Sequence, residues 1–264
     1  MQHFAVLIAL LRDRDTFLAE IRDSKQIEAK IISLIIASSI FLAIYGAIIG
    51  SSSSWQQLVV SAVKLPALYL LTLLICLPTL FFFDILFGSK LDFKQYAALS
   101  LTTVAVISVL LFAFAPITLF FLISIHDYTF FLLLNVAILG LTGIIGVKLF
   151  YSAVLAVVEP NHGLAAGSLA TGSKDVAPTV TTTAGKFITD DVAPPPSPQH
   201  RASKARLQLL QFWLVLYGLV GSQLGWTLRP FFGAPGEPFQ LFRDIEGNFY
   251  QQVIRLTVNL LTGA

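Results

Sequence analysis

The sequence has few of the residues from which most soluble functional sites are built. Only 12% of its 264 residues are Asp, Glu, Lys or Arg, and Cys76 is its one cysteine. A single cysteine excludes a disulfide, a CxxC pair and a cysteine zinc site within one chain. The net charge is +2, and no basic stripe carries interleaved aromatic residues. We therefore expect no nucleic-acid partner.

Motifs for catalysis and for cofactors are also missing. The four histidines are scattered without ligand spacing, and the chain has no Gly-rich phosphate loop and no Ser/His/Asp constellation. Asp84 is the only acid inside a predicted membrane span, close to its end. It reads as an interfacial carboxylate, with a proton site as the alternative. We expect a non-enzyme with no catalytic residue, no cofactor and no metal.

Long apolar runs dominate what remains. Hydrophobic residues make up 56% of the chain and its mean hydropathy is +0.79, which is outside the range of ordinary soluble domains. Within residues 31–158, runs of roughly twenty uncharged residues match the ~30 Å hydrocarbon core of a bilayer. The sequence predicts an all-α, polytopic helical bundle in a membrane.

About five transmembrane helices are predicted. Four of them form a block over 31–158, and the fifth lies within 206–228. The expected spans cover residues 31–49, 65–86, 96–115, 130–151 (with an extension to 158 left open) and 207–228. Pro116 should kink or end the third span, so it stays open whether the apolar residues 117–125 extend it.

Two segments flank or interrupt these spans. Residues 1–30 place Phe4, Leu7 and Leu11 at helical spacing, which predicts an amphipathic helix that lies on the membrane. The alternative is a soluble helix packed on the loops of the bundle. Residues 159–205 hold six of the twelve prolines and almost no aromatic residues, which is typical of a disordered linker. Its prolines at 194–198 form an extended spacer or dock a polyproline reader.

The distribution of lysine and arginine gives the chain a sidedness. The N-terminal segment holds five, and the linker together with Arg206 holds five, whereas the first predicted loop holds one, Lys64. By the positive-inside rule, the N-terminus and the linker are cytoplasmic. Five crossings then place residues 229–264 outside, and we expect a multi-pass protein of the cell membrane.

Small and polar residues inside the spans predict helix contacts. Glycines at short spacing let helix backbones approach closely, within the chain or between copies. The candidate packing glycines are Gly46, Gly50, Gly143, Gly146, Gly221 and Gly225. Single polar groups should bond across helices; these are Thr102, Thr103, Ser108, Asn135 and Gln223.

The C-terminal tail, residues 229–264, is the least generic stretch. It combines turn formers, phenylalanines and charges, and this combination predicts an ordered cap on its own bundle or a surface for a partner. The candidate partner-binding residues are Arg229, Phe231, Phe232, Glu237, Arg243, Asp244 and Glu246. A short helix over 249–261 would rise only ~20 Å, too little to cross.

Residues 28–158 resemble the Yip1-domain type of small membrane protein. The resemblance rests on the segments AIYGAIIGS and KLPALYLLTLLICLPTL after a cytoplasmic amphipathic start. It implies five spans with the N-terminus inside. The DLYGP motif of the trafficking members is absent, so the resemblance implies neither their partners nor vesicle traffic.

These patterns together favour a non-catalytic integral membrane scaffold or assembly protein that acts through its tail and its N-terminal helix. Its expected partners are the lipid bilayer and a membrane protein or a second copy of itself. The alternative is a small permease or channel subunit, which would need a hydrated path between the spans.

Overall fold

A computed structural model describes residues 2–86, 91–125, 127–158, 198–231, 241 and 249–262. Within these ranges the chain forms helices and no strand, so the all-α prediction is confirmed. The helices are α1 (Gln2–Arg12), α2 (Arg14–Arg22), α3 (Ile27–Gly50), α4 (Trp55–Leu86), α5 (Phe93–Ser124), α6 (Tyr128–Val158), α7 (Pro198–Thr227) and α8 (Phe249–Thr262).

Four helices, α3 to α6, are long and apolar enough to cross a membrane. The shortest, α3, has 24 residues and is about 36 Å long, which exceeds a ~30 Å hydrocarbon core. The prediction of a polytopic membrane bundle is confirmed by the length and composition of these four helices. The helix α4 begins at Trp55 rather than at the predicted residue 65. Three polar side chains of its first turns, Gln57, Ser61 and Lys64, are buried against other parts of the chain.

Prolines inside the spans do not end them. Pro66 and Pro78 lie within α4, and α5 continues past Pro116 to Ser124. The question left open for the third span is therefore answered, since residues 117–124 extend the helix past Pro116. Neighbouring helices hold this turn in place, since Ala115 and Thr118 on either side of the proline are buried.

The helix α7 runs antiparallel to α4. Trp213 Nε1 donates a hydrogen bond to the Cys76 carbonyl (3.1 Å), and further along Gly225 faces Leu68. This helix begins at Pro198, so residues 198–205 belong to it and not to the predicted linker. Residues 159–197, the rest of that segment, lie outside the described residues. A fifth crossing by α7 stays a prediction.

The N-terminal segment is two helices and not the single predicted helix. The break falls at Asp13, whose carboxylate accepts a hydrogen bond from the Thr16 amide (3.1 Å) and caps α2. Leu10, Phe17 and Ile21 are buried in a core cluster shared with α3, α5 and α6. These helices pack on the bundle, and their position on a membrane surface stays a prediction.

Candidate functional site

One face of α4 carries three buried polar side chains near the start of the helix. Gln57, Ser61 and Lys64 recur at helical spacing, which places them on the same face. Their exposed fractions are only 2%, 0% and 7%. Such groups are costly in a membrane unless each finds a hydrogen-bond partner.

Backbone carbonyls of the tail supply those partners. Gln57 Nε2 donates to the Pro230 carbonyl at 2.7 Å, and Ser61 Oγ donates to the Phe231 carbonyl. Lys64 Nζ donates to the Leu241 carbonyl and, at 3.5 Å, to that of Pro230. We call these three side chains the tail anchor.

The tail anchor and the tail satisfy each other's hydrogen-bonding needs. Beyond α7 the backbone at Pro230 and Phe231 is not helical, so its carbonyls have no helical partner. Within the anchor, Gln57 Nε2 also donates to Ser61 Oγ at 3.1 Å, which links the two side chains. The arrangement fixes the beginning of the tail on α4 through hydrogen bonds to the tail backbone.

Two predicted packing glycines lie directly behind the tail anchor. A Cβ atom added to Gly50 would come within 2.5 Å of the Gln57 carbonyl oxygen. A Cβ atom on Gly46 would collide with the Ser61 carbonyl oxygen. No side chain fits at either position, so glycine allows α3 and α4 to approach closely where the tail is held.

The other four candidate packing glycines differ in how closely they approach a neighbouring helix. A Cβ on Gly146 would collide with Ile107 of α5, whereas Gly221 and Gly225 face Thr72 and Leu68 of α4 at ordinary contact distances, 3.4 and 3.7 Å. Around Gly143 nothing lies within 4 Å of an added Cβ. Gly143 therefore makes no close helix contact within the described residues.

Two of the candidate partner-binding residues lie in the described part of the tail. The Arg229 guanidinium stacks 3.8 Å above the Trp226 ring, and Phe231 packs against the core cluster that contains Tyr45 and Leu65. The remaining candidates lie outside the described residues: Phe232, Glu237, Arg243, Asp244 and Glu246. The beginning of the tail therefore caps its own bundle.

The helix α8 rests on α7. The rings of Phe249 and Trp226 are 6.3 Å apart, and the hydroxyls of Tyr250 and Ser222 are 2.9 Å apart. Ile254 stays 64% exposed. The short C-terminal helix thus packs on the bundle while part of its apolar surface faces outward.

The N-terminal helices are fixed at the opposite end of the bundle from the tail anchor. Gln95 Nε2, at the start of α5, donates to the carbonyls of Arg22 (2.7 Å) and Ile21 (3.3 Å). Arg14 donates to Ser152 Oγ at 2.6 Å, close to the end of α6. We call this the inner end, and the end with the tail anchor the outer end, after the sidedness that the sequence predicts.

A small polar cluster lies inside the bundle, next to the outer end. Tyr45 Oη donates to Asn135 Oδ1 at 2.9 Å, and the Thr118 hydroxyl is 3.4 Å from Tyr45 Oη. Asn135 therefore bonds across helices, as predicted.

Asp84 is buried near the end of α4, with an exposed fraction of 5%.

Three of the polar residues predicted to bond across helices bond within their own helix instead. Thr102, Thr103 and Ser108 donate to the carbonyls of Ala98, Leu99 and Ala105. A short hydroxyl side chain reaches the carbonyl three or four residues back more easily than it reaches a neighbouring helix. For these residues the prediction was wrong.

Sequence reasoning missed the tail anchor. It placed Gln57 in a loop that closes the first span and treated Lys64 as a loop charge. The available signal was the recurrence of Gln57, Ser61 and Lys64 at helical spacing beside an apolar run. Arg14 was counted only as a cytoplasmic charge, and nothing in its sequence context indicates its contact with Ser152.

The chain matches no family model, no curated protein and no solved structure. The Yip1-domain resemblance therefore stays a prediction. Within the described ranges, no three His, Cys, Asp or Glu side chains come together as a group that could hold a metal ion.

Proposed function

We propose that the protein is a non-catalytic membrane scaffold that holds its tail in a fixed position at the outer end, where the tail binds another membrane protein. The tail anchor is the observation that carries this proposal. Three buried polar side chains, Gln57, Ser61 and Lys64, all donate hydrogen bonds to the beginning of the tail. Holding a segment in advance lowers the ordering cost of binding through it.

The N-terminal helices supply the second fixed element. They are held at the inner end by Gln95 and Arg14 and by an ion pair between Lys30 and Glu20 (2.5 Å). A bundle that fixes one segment at each end suits a protein that connects components on the two sides of a membrane. This reading agrees with a cytoplasmic N-terminus and an outside tail, which the lysine and arginine distribution predicts.

The antiparallel run of α7 supports five crossings. Contacts of α7 and the following residues extend along α4 from Cys76 to Gln57, a distance of about 28 Å. That is close to the ~30 Å hydrocarbon thickness. In this proposal α7 is the fifth span, and it carries the chain to the outside before the tail begins.

Co-purification from native membranes tests the proposal. The full chain is isolated in mild detergent, and the bound polypeptides are compared with those of Arg243→Ala and Phe231→Ala. We expect Arg243→Ala to lower the recovery of a bound polypeptide by about tenfold or more, the effect of losing one interface hot spot. Phe231→Ala should also lower it, because the Phe231 ring packs on the bundle and positions the tail. Membrane insertion should stay normal.

Two matched controls separate the tail from general damage. Arg255 is exposed on α8, and Phe120 is 62% exposed on α5. Arg255→Ala and Phe120→Ala should leave the bound polypeptides unchanged. A set of associated polypeptides that is identical in all four variants would reject the scaffold function.

A small permease or channel subunit is the second candidate, and one observation favours it. Tyr45, Thr118 and Asn135 form a polar cluster among the spans, and such clusters can line a solute path. The purified protein in liposomes should then pass an ion or small solute, and Asn135→Leu should change the rate. Liposomes that pass none of the solutes tested would reject this candidate for those solutes.

A further inference from the structure

A cavity of about 170 Å³ lies between the N-terminal helices and the bundle at the inner end. Its lining is mostly apolar and includes Leu10, Val106, Leu149 and Ala153, with Arg14 as its charged member. For comparison, an apolar cavity of ~150 Å³ is large enough to hold benzene. The space can therefore accept a short stretch of hydrocarbon chain.

The cavity lies where the hydrocarbon of a bilayer meets its headgroups. The helix α6 has 31 residues and is about 46 Å long, so it extends about 8 Å beyond a ~30 Å core at each end if it is centred. Ser152, which binds Arg14, is about 9 Å from the end of α6 at Val158. Ser152 is therefore close to the hydrocarbon boundary, where the Arg14 guanidinium can reach a lipid phosphate, and Leu149 of the lining lies deeper.

Arg14 has hydrogen-bonding capacity left for an anion. Both of its hydrogen bonds, to Ser152 Oγ and to the Leu149 carbonyl, come from Nη2. No carboxylate of the described residues lies within 4 Å of this guanidinium. The neighbouring Asp13 carboxylate is bound to the amide and hydroxyl of Thr16. A guanidinium offers five N–H donors in a planar fork that suits phosphate.

The cavity is open toward the surface on the side of α1. Leu11 lines it and is 53% exposed, and Ile8 one turn earlier is 62% exposed. In a bilayer these two side chains would face lipid. A lipid chain could therefore enter beside Leu11 without any movement of the bundle.

We propose that this cavity binds one anionic phospholipid, with part of an acyl chain between α1, α5 and α6 and the phosphate on Arg14. The apolar lining recognises the chain, and the guanidinium recognises the negative charge. A zwitterionic lipid binds less tightly because its own cation offsets the attraction of Arg14. The proposal does not depend on the scaffold function.

Native mass spectrometry of the purified full chain tests the charge selectivity. The probes are dioleoyl phosphatidylglycerol and dioleoyl phosphatidylcholine, titrated separately. We expect about tenfold tighter retention of phosphatidylglycerol, and we expect Arg14→Gln to remove that preference. Arg12→Gln is the matched control, since Arg12 is exposed and carries the same charge two residues away. Equal retention of the two lipids, or equal effects of the two substitutions, would overturn the proposal.

Two further measurements separate a lipid site from a plain anion site. Glycerol phosphate, which has no acyl chain, should not displace the bound lipid; efficient displacement would contradict the proposal. Ala153→Leu fills the cavity and should weaken retention of phosphatidylglycerol. If that variant fails to fold, a series of lysolipids with longer chains decides instead: retention that does not increase with chain length would refute the acyl-chain contact.

Discussion

Replacing Gln57 with leucine tests the tail anchor most simply. Gln57 and Gln56 are adjacent on α4, but Gln57 is buried under the tail and Gln56 is exposed. Gln57→Leu keeps the approximate size and removes the amide. Gln56→Leu makes the same chemical change at a side chain that has no hydrogen bond to the described residues of the tail.

The expected effect follows from the two hydrogen bonds of Gln57. Its Nε2 donates to the Pro230 carbonyl at 2.7 Å and to Ser61 Oγ at 3.1 Å. A neutral hydrogen bond contributes about 0.5–1.5 kcal/mol, and leaving a buried acceptor unsatisfied costs about 1–3 kcal/mol. Lys64 can still reach Pro230, so we expect a loss of about 1–2 kcal/mol in the free energy of tail docking, or roughly five- to thirtyfold in its equilibrium constant.

Hydrogen exchange of the full chain in detergent measures this docking. The amides of Leu228 and Arg229 are hydrogen-bonded to the last turn of α7, and they should exchange roughly five- to thirtyfold faster in Gln57→Leu. In Gln56→Leu they should exchange at the original rate. Equal exchange in the two variants would refute the idea that Gln57 holds the tail.

Three further predictions concern the bundle and its N-terminal helices. Gly46→Ala should lower the free energy of unfolding by about 1–3 kcal/mol because the new methyl group meets the Ser61 carbonyl; Gly143→Ala has open space, and equal thermal stability of the two variants would contradict this. Tyr45→Phe should cost about 0.5–1.5 kcal/mol because Asn135 loses a donor, and unchanged unfolding would show that the hydrogen bond contributes nothing. Hydrogen bonds from the Thr16 side chain and amide lower the pKa of Asp13. Since this pKa is lowered on folding, the ionised Asp13 carboxylate should stabilise α2 fully above about pH 4, and this stabilisation should be lost as the pH falls through the lower folded pKa. Hydrogen exchange of α2 measures the effect, with Asp13→Ala as the reference. The same dependence on pH in both proteins would rule out a contribution of Asp13.

The spans were predictable because hydrophobicity and length decide them. Runs of about twenty apolar residues need no tertiary information to be recognised as membrane helices. The helix ends were harder to predict. The helix α4 begins earlier than predicted, at Trp55, and includes a face with polar side chains. The helix α5 continues past Pro116 to Ser124. In both places, neighbouring elements cover groups that would otherwise end the helix.

The contacts between distant segments were not predictable from local patterns. Gln57 and Pro230 are separated by most of the chain, and only the antiparallel placement of α4 and α7 brings them together. The glycines could be identified as candidates, yet Gly146 lies against Ile107, whereas no described residue lies within 4 Å of a Cβ atom added to Gly143. Spacing alone does not determine which face of a membrane helix meets a neighbour.

A photoreactive amino acid at position 245 of the full chain, in native membranes, tests the central claim most directly. In the sequence this position lies between the candidate residues Asp244 and Glu246, and the substitution leaves every candidate partner-binding residue in place. The account predicts a crosslink from this position to another membrane polypeptide, and a weaker one when Gln57→Leu is added. Crosslinks that join position 245 only to its own bundle, or that are unchanged by Gln57→Leu, would contradict it.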